Sequence, residues 1–216
     1  MSAARARLLA LLLAAAGACA RPGVAPPPPP PAAPAPAAAT LVDATTVVPG
    51  LRLDIRYATP DNFTGRTLYP VARCLLRPAV AEQLAQAQAA AAREGLGLEV
   101  FDCYRPLSIQ RQLWALVPDE RYVADPAKGS RHNRGAAVDL TLVDAAGAEL
   151  PMPTGFDDFT ERAHRDYDDL PAAAIANRAR LERLMTAAGF TGLPTEWWHF
   201  DADGWQQYGI LDLPLE

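Results

Sequence analysis

The sequence predicts an α+β protein: a single compact domain with a central antiparallel sheet flanked by helices. Short stretches that alternate apolar and polar residues, the period of a β-strand, lie between longer stretches with apolar residues on a helical period. These stretches do not follow the regular strand-helix-strand rhythm of a parallel sheet. The sequence also has no glycine-rich phosphate-binding loop, which argues against a nucleotide-binding α/β fold.

Two strands and two helices are predicted in the first half of the domain. Residues 51–57, LRLDIRY, alternate as a half-buried strand does, and a loop follows. Residues 78–94 are rich in alanine and carry an apolar stripe that stops before a glycine, which predicts a helix. Residues 97–102, GLEVFD, predict the second strand, and residues 106–117, which begin with a proline, predict the second helix.

The second half of the domain adds a strand, a helix and an aromatic segment. Residues 136–142, AAVDLTL, alternate, so their apolar residues share one face while Asp139 and Thr141 lie on the other. A helix is predicted over residues 172–188, where an apolar stripe again ends at a glycine. Residues 193–201, LPTEWWHFD, are rich in aromatic residues that favour strands.

The N-terminal part of the sequence is predicted to lie outside the folded domain. Residues 1–20 have the basic start, apolar run and small residues of a bacterial export signal, and the apolar run is shorter than the about 20 residues of a membrane span. Cys19 lies in a sequence that fits both lipidation and ordinary cleavage, so a lipid-anchored and a freely secreted form both remain open. Residues 21–40 are a linker of proline and alanine. Residues 41–216 then form the domain, in the periplasm or cell envelope.

Charge and cysteine content narrow the choice of partners and compartment. The net charge is −5 and no cluster of lysine and arginine follows the signal, which argues against nucleic acid and favours a small substrate. Cys74 and Cys103 remain once the signal cysteine is set aside. After export they could form a disulfide or remain as two buried thiols.

The residues that point to chemistry are two histidines and two carboxylates. A catalytic zinc ion is usually held by three protein ligands from His, Asp and Glu. His132 lies in a polar loop, and Asp139 lies on the polar face of the strand that follows it. The second histidine is His164 or His199. His199 is favoured because Glu196 lies three residues before it, where a general base is needed.

Three motifs together resemble one known family. SRHNRGAAVDLTL, EWWHF and FDCYRP are similar to the signatures of the zinc-dependent D-alanyl-D-alanine dipeptidases, and RYATPDNFTGR and GFDDFTERAH resemble flanking segments of that family. The resemblance runs from about residue 51 to residue 200. It implies a hedgehog-like α+β fold, one zinc ion per chain bound on the sheet, and hydrolysis of D-Ala-D-Ala.

The resemblance also implies a role for particular residues. His132, Asp139 and His199 would bind zinc, Glu196 would be the catalytic base, and Arg105 would stabilise the transition state. His164 is assigned a structural role rather than a role as ligand. The residues implied to lie near the substrate are Ser130, Asp157 and Tyr57, of which Asp157 suits an ammonium group.

The sequence departs from the family in two respects. A dipeptidase that confers resistance must act where cell-wall precursors are made, whereas an export signal favours turnover or scavenging of dipeptides in the envelope. Cys103 follows the motif residue Asp102, which implies that Cys74 braces the turn bearing Arg105. The alternatives to a dipeptidase are a D,D-carboxypeptidase acting on longer stem peptides and a non-catalytic binding protein tethered in the envelope.

Overall fold

A computed structural model describes residues 40–216. The predicted export signal with Cys19, and the predicted linker up to residue 39, lie outside the described residues. Within residues 40–216, no helix combines the length and apolar character that crossing a membrane requires.

The described chain has seven strands and three α-helices. The strands are β1 (Val42–Asp43), β2 (Arg52–Leu53), β3 (Leu75–Leu76), β4 (Gly97–Asp102), β5 (Ala137–Val143), β6 (Phe190–Gly192) and β7 (His199–Ala202). The helices are α1 (Pro78–Arg93), α2 (Leu107–Leu116) and α3 (Ala172–Ala187).

Five of the strands form one mixed sheet in the order β2-β4-β5-β7-β6. The pairings β4-β5, β5-β7 and β6-β7 are antiparallel, as predicted, whereas β2 pairs with β4 in parallel. The chain between β2 and β4 passes through α1, and such a helical crossover is what a parallel pair needs. β1 and β3 form a separate two-stranded antiparallel sheet. The α+β class predicted from the sequence is confirmed, with one parallel pair that the sequence did not predict.

The long elements form where the sequence has a clear period. Pro78 occupies the first turn of α1, whose alanine-rich face is buried and packs against β4 and α3. Every side chain of β5 is buried, and strands β4 and β7 flank it on both edges. The strand that bears Asp139 is therefore the most enclosed part of the sheet.

Two predicted strands are shorter than expected. The strand predicted over 51–57 ends at Leu53, since the chain turns into a 3-10 helix at Arg56–Ala58. The prediction over 193–201 is wrong before His199, because residues 193–198 form the loop between β6 and β7. Trp197 and Trp198 are buried in that loop, so core packing, and not strand pairing, explains these two aromatic residues.

Candidate metal centre

Two neighbouring strands and one tight turn bring three metal-binding side chains together. Asp139 in β5 lies directly opposite His199 in β7 in the register of the sheet, so their side chains share a face. His132 lies in the 3-10 turn His132–Arg134, which ends at Gly135 with a left-handed φ of 65° and leads into β5. One ligand atom from each of the three residues lies within 4.8 Å of the other two.

The contacts within this cluster are short. His199 Nδ1 is 2.9 Å from Asp139 Oδ1, and His132 Nε2 is 3.3 Å from Asp139 Oδ2. His132 Nε2 and His199 Nδ1 are 3.2 Å apart. All three side chains are buried, with at most 6% of each residue exposed. The sequence prediction that these three residues meet is thus matched by their positions.

Each of the two histidines has one ring nitrogen that donates a hydrogen bond to a group outside the cluster. In a neutral ring, this leaves the lone pair on the other nitrogen. His132 Nδ1 donates to the carbonyl oxygen of Cys103 at 2.6 Å, and a carbonyl can only accept. His199 Nε2 donates to Asp201 Oδ1 at 2.8 Å. In the neutral rings the lone pairs of His132 Nε2 and His199 Nδ1 therefore face each other beside a carboxylate. Metal-binding histidines are typically held in this way, so the donor set fits a cation.

Sequence reasoning missed Asp201, although the signal was present. Asp201 follows His199 by two residues in β7, and alternate residues of a strand lie on the same face. Its carboxylate therefore lies beside the ring of His199. Arg131 Nε is 3.4 Å from Asp201 Oδ2, which helps to keep this carboxylate ionised.

The electrostatics of the cluster favour a positive charge at its centre. Burial by itself lowers the pKa of His199, but the carboxylates of Asp201 and Asp139 outweigh it and raise that pKa to about 10. Burial raises the pKa of Asp139, but His132 and His199 more than offset it and lower that pKa. A proton or a metal ion can supply the positive charge, so the two compete for His199.

The affinity of the cluster for a divalent metal ion is expected to rise with pH well past neutrality. The raised pKa means that both ring nitrogens of His199 are protonated at neutral pH. The proton on Nδ1 must leave before Nδ1 can bind a metal. Losing one proton makes the apparent zinc affinity rise about tenfold per pH unit below that pKa. Zinc titrations against a competing chelator between about pH 6 and about pH 8.5 measure this slope.

The control for this experiment is Asp201→Asn. It removes the carboxylate that raises the pKa of His199, so the rise in affinity should level off at a lower pH. A histidine with an ordinary pKa of about 6.5 would give an affinity that is flat above about pH 7.5. Such a plateau in the unaltered protein would contradict the prediction.

Glu196 lies beside the cluster without being part of it. Its Oε2 atom is 3.9 Å from His199 Nδ1, and the residue is only 7% exposed. Burial raises the pKa of Glu196 to about 8, with the carboxylates of Asp139 and Asp201 also raising it and the nearby cations lowering it. A carboxylate with a pKa near neutrality can both accept and donate a proton.

Arg105 lies close to Asp139, and its guanidinium is held by several hydrogen bonds. Its Nε and Nη2 atoms donate to Asp102 Oδ2 at 3.0 and 2.7 Å, and Nη1 donates to Gln110 Oε1 at 2.9 Å. Nη2 is 4.0 Å from Asp139 Oδ2, so the guanidinium borders the cluster of candidate metal ligands. Burial lowers the pKa of Arg105, but Asp102 outweighs it and the net shift is upward. The side chain therefore stays charged.

Three further predicted residues line the same cavity. Tyr57 donates its hydroxyl hydrogen to Asp157 Oδ2 at 3.1 Å, and Ser130 Oγ accepts from the backbone N–H of His132. Asp157 has a left-handed φ of 60°, which is uncommon for a residue other than glycine. Burial, with Asp139 adding to it, raises the pKa of the Asp157 carboxyl well above its usual range. A cationic group in the cavity would relieve that penalty.

The cavity has a volume of about 280 Å³ and is lined in part by aromatic rings. Tyr122 stacks on Phe159 at 5.1 Å between ring centroids, and Phe159 meets Phe63 edge to face at 5.2 Å. All three rings line the cavity. Pockets for drug-sized ligands span about 300 to 1,000 Å³, so this cavity suits a small ligand.

Cys74 and Cys103 form a disulfide bond in the structure. Both residues are buried, and Cys103 directly follows Asp102 at the end of β4. Because the carbonyl of Cys103 accepts from His132, the disulfide braces the backbone that orients a candidate metal ligand.

His164 lies apart from the three metal-binding side chains. In residues 40–216, the cluster of residues able to hold a metal consists of His132, Asp139 and His199. His164 follows a 3-10 turn, and its carbonyl accepts from Arg178. The structure therefore places His199, rather than His164, at the centre of the site.

The fold and the site define a class of protein. A buried carboxylate able to carry a proton stands next to convergent metal-binding side chains, in a cavity large enough for a small substrate. This is the arrangement of a metal-dependent hydrolase.

Comparison with known proteins gives the family. The family model for D-Ala-D-Ala dipeptidases of peptidase family M15 matches residues 37–210. The D-alanyl-D-alanine dipeptidase of Escherichia coli (strain K12) is 43% identical over 171 residues, which cover 79% of this chain and 89% of that protein. The D-alanyl-D-alanine dipeptidase of Enterococcus faecium is 35% identical over 175 residues, covering 71% and 87%. The chain belongs to the D-Ala-D-Ala dipeptidase family.

Similarity to solved structures is weaker. The structure described as VanYB in complex with D-alanine-D-alanine overlaps with a TM-score of 0.39 at 18% identity, covering 62% of this chain and 74% of that chain.

Proposed function

We propose that this protein is a zinc dipeptidase that hydrolyses D-Ala-D-Ala to two molecules of D-alanine. The observation that carries the proposal is the buried cluster of His132, Asp139 and His199 with Glu196 beside it, in a member of the dipeptidase family. The small cavity supports a dipeptide as substrate.

His132, Asp139 and His199 would hold the zinc ion. Two imidazoles and one carboxylate are a typical set of three protein ligands for catalytic zinc, with the fourth position left to water or substrate. When bound, zinc lowers the pKa of a coordinated water and polarises the substrate carbonyl.

Glu196 is proposed to move the proton that the reaction transfers. Its carboxylate accepts a proton from the attacking water and then donates it to the leaving amine nitrogen as the peptide C–N bond breaks. Burial keeps the pKa of this carboxyl high enough for it to carry the proton between the two steps. The 3.9 Å between Glu196 Oε2 and His199 Nδ1 places the carboxylate next to the ligand set without making it a ligand.

Arg105 is proposed to stabilise the negative charge that develops on the carbonyl oxygen. Asp102 and Gln110 fix the guanidinium, so it does not have to reorganise as the charge appears. Asp102 in turn accepts from the hydroxyl of Tyr69 at 2.8 Å. This buried network holds the positively charged guanidinium at the edge of the cluster of candidate metal ligands.

Asp157, Tyr57 and Ser130 are proposed to position the dipeptide. The carboxylate of Asp157 would pair with the substrate ammonium, which supplies the positive charge that this buried group lacks. Tyr57 holds that carboxylate through its hydroxyl group. Ser130 lines the cavity next to His132, where its hydroxyl can donate to the substrate.

The purified protein is expected to release D-alanine from D-Ala-D-Ala, to lose that activity on removal of metal by dipicolinate, and to regain it with zinc. L-Ala-L-Ala is the control for stereochemistry, and a stem pentapeptide ending in D-Ala-D-Ala is the control for length. Chromatography of the released amino acids measures all three substrates. The cavity of about 280 Å³ suits a dipeptide, so the pentapeptide should be a poor substrate.

Other outcomes would support the alternatives. Release of D-alanine only from the pentapeptide would make the protein a D,D-carboxypeptidase. Protein that binds no zinc and stays inert after zinc is added would be a binding module.

We also propose that the protein acts outside the cytoplasm, in turnover or scavenging of cell-wall dipeptides. The export signal predicted for residues 1–20 supports this location. The disulfide between Cys74 and Cys103 supports it as well, because disulfides persist in oxidising compartments. Lipidation of Cys19 would tether the protein to the membrane.

A further inference from the structure

The loop between β6 and β7 carries the proposed base and leads into a proposed metal ligand. Residues 193–198 form this loop, with Glu196 within it and His199 directly after it. Within the loop, the N–H of Glu196 donates to the carbonyl of Leu193 at a long 3.3 Å. The N–H of Leu193 also donates to the carbonyl of His199 at 3.2 Å, which closes the loop at its base. Further contacts join the loop to another part of the chain.

A single side chain outside the loop makes several of these contacts. Arg165 Nε donates to the carbonyl of Leu193 at 2.9 Å. Arg165 Nη2 donates to the carbonyls of Trp197 and His199 at 3.0 and 2.8 Å. One guanidinium thus binds the beginning of the loop, the residue after Glu196 and the backbone of the proposed ligand.

The backbone next to Arg165 adds to this attachment. The N–H of Arg165 donates to the carbonyl of Pro194 at 2.9 Å, and the N–H of Trp197 donates to the carbonyl of Ala163 at 3.0 Å. The two segments are therefore joined on both sides of Glu196.

The surroundings of the guanidinium are shaped to receive it. Only 10% of the Arg165 side chain is exposed, and its Cζ atom lies 4.4 Å from the centroid of the Phe200 ring. A Cβ atom on Gly192 would lie 2.3 Å from that Cζ atom, so glycine leaves the space that the guanidinium fills. Burial lowers the pKa of Arg165 to about 10, which still leaves the group charged at neutral pH.

We propose that Arg165 is a positioning residue that fixes Glu196 and His199 relative to each other through the carbonyls of the loop. The proposal rests on the proposed function for the roles of Glu196 and His199. The planar fork of the guanidinium is required, since its donors reach three carbonyls from one side chain. A lysine keeps the charge but presents it as a single point at the end of a flexible chain.

The test compares two variants that disturb these contacts with one matched control. Arg165→Lys removes the fork. Gly192→Ala keeps the arginine, but its Cβ atom would collide with the guanidinium and displace it. The control is Arg178→Lys, because Arg178 is another buried arginine whose Nη1 donates to two backbone carbonyls, those of His164 and Tyr167. Each variant is measured for zinc affinity, for kcat and KM on D-Ala-D-Ala at saturating zinc, and for its midpoint of unfolding in urea.

Arg165→Lys and Gly192→Ala are expected to lower zinc affinity by about 10- to 100-fold, the range seen when a group that orients a ligand is lost. At saturating zinc, kcat should fall while KM changes little, because Glu196 is misplaced but the rest of the cavity is unchanged. Arg178→Lys should lower the urea midpoint while zinc affinity and kcat stay as in the unaltered protein.

The proposal is overturned if Arg165→Lys and Gly192→Ala change zinc affinity and kcat no more than Arg178→Lys does. If Arg165→Lys does not fold, Gly192→Ala decides the matter alone, since it retains the arginine. Zinc affinity does not depend on the substrate. A protein that binds zinc but does not cleave D-Ala-D-Ala would therefore refute the proposed function while still testing the role of Arg165.

Discussion

Replacing Glu196 by glutamine is expected to lower kcat on D-Ala-D-Ala by about a hundredfold to ten-thousandfold, the usual contribution of a general acid-base group. Glutamine has nearly the same shape as glutamate but cannot take up the proton that the reaction transfers. Glu196 lies beside the three candidate metal ligands and is not one of them, so the variant should still bind one zinc ion per chain. A coupled assay for released D-alanine and a metal analysis of the same sample measure both properties.

The matched control is Glu94→Gln, the same change at a glutamate that pairs with Arg183 on the surface. It should leave kcat unchanged. Full activity of Glu196→Gln would remove this residue from the mechanism. Loss of zinc from that variant would instead show that Glu196 is a ligand.

Replacing Cys74 and Cys103 together by alanine is expected to lower the free energy of unfolding by about 3 to 4 kcal/mol. The two cysteines are 29 residues apart, and opening a loop of this length restores much conformational freedom to the unfolded chain. Zinc affinity should fall as well. The carbonyl of Cys103 accepts a hydrogen bond from the His132 ring, and without the disulfide this part of the backbone would be held less firmly. Urea unfolding and zinc titration under native conditions measure the two effects.

A reducing agent provides the control for this experiment. Reduction should destabilise the unaltered protein by a similar amount and should leave the double alanine variant unchanged. An equal urea midpoint for the oxidised protein and the double variant would mean that the disulfide contributes nothing to stability.

Elements with a sustained period could be predicted from the sequence, and short ones could not. Helix α1 was predicted within a residue because its apolar stripe keeps one period over its whole length. Strand β4 was predicted with the observed bounds, although the adjacent apolar residues Val100 and Phe101 interrupt its alternation. β1 and β3 have two residues each, too few to show alternation. The parallel pairing of β2 was missed for the same reason, because only Arg52 and Leu53 take part.

The site could be predicted as a set of residues, but its geometry could not. The motifs indicated His132, Asp139 and His199, yet the register that places Asp139 opposite His199 depends on the order of strands in the sheet. Arg165 was missed because its contacts are with backbone carbonyls, which leave no pattern in a sequence. Asp201 could have been found from the alternation of β7.

The fully buried strand β5 has a consequence for how the proposed zinc ion would enter and leave its site. Asp139 sits in the middle of the sheet, and the two histidines are oriented by Cys103 and Asp201, so protein contacts alone define the shape of the ligand set. We therefore expect metal capture to be separate from folding, unlike in small domains that fold only around their zinc ion. Protein from which the metal has been removed should keep its fold. It should then bind a spectroscopically visible ion such as cobalt at room temperature without first unfolding.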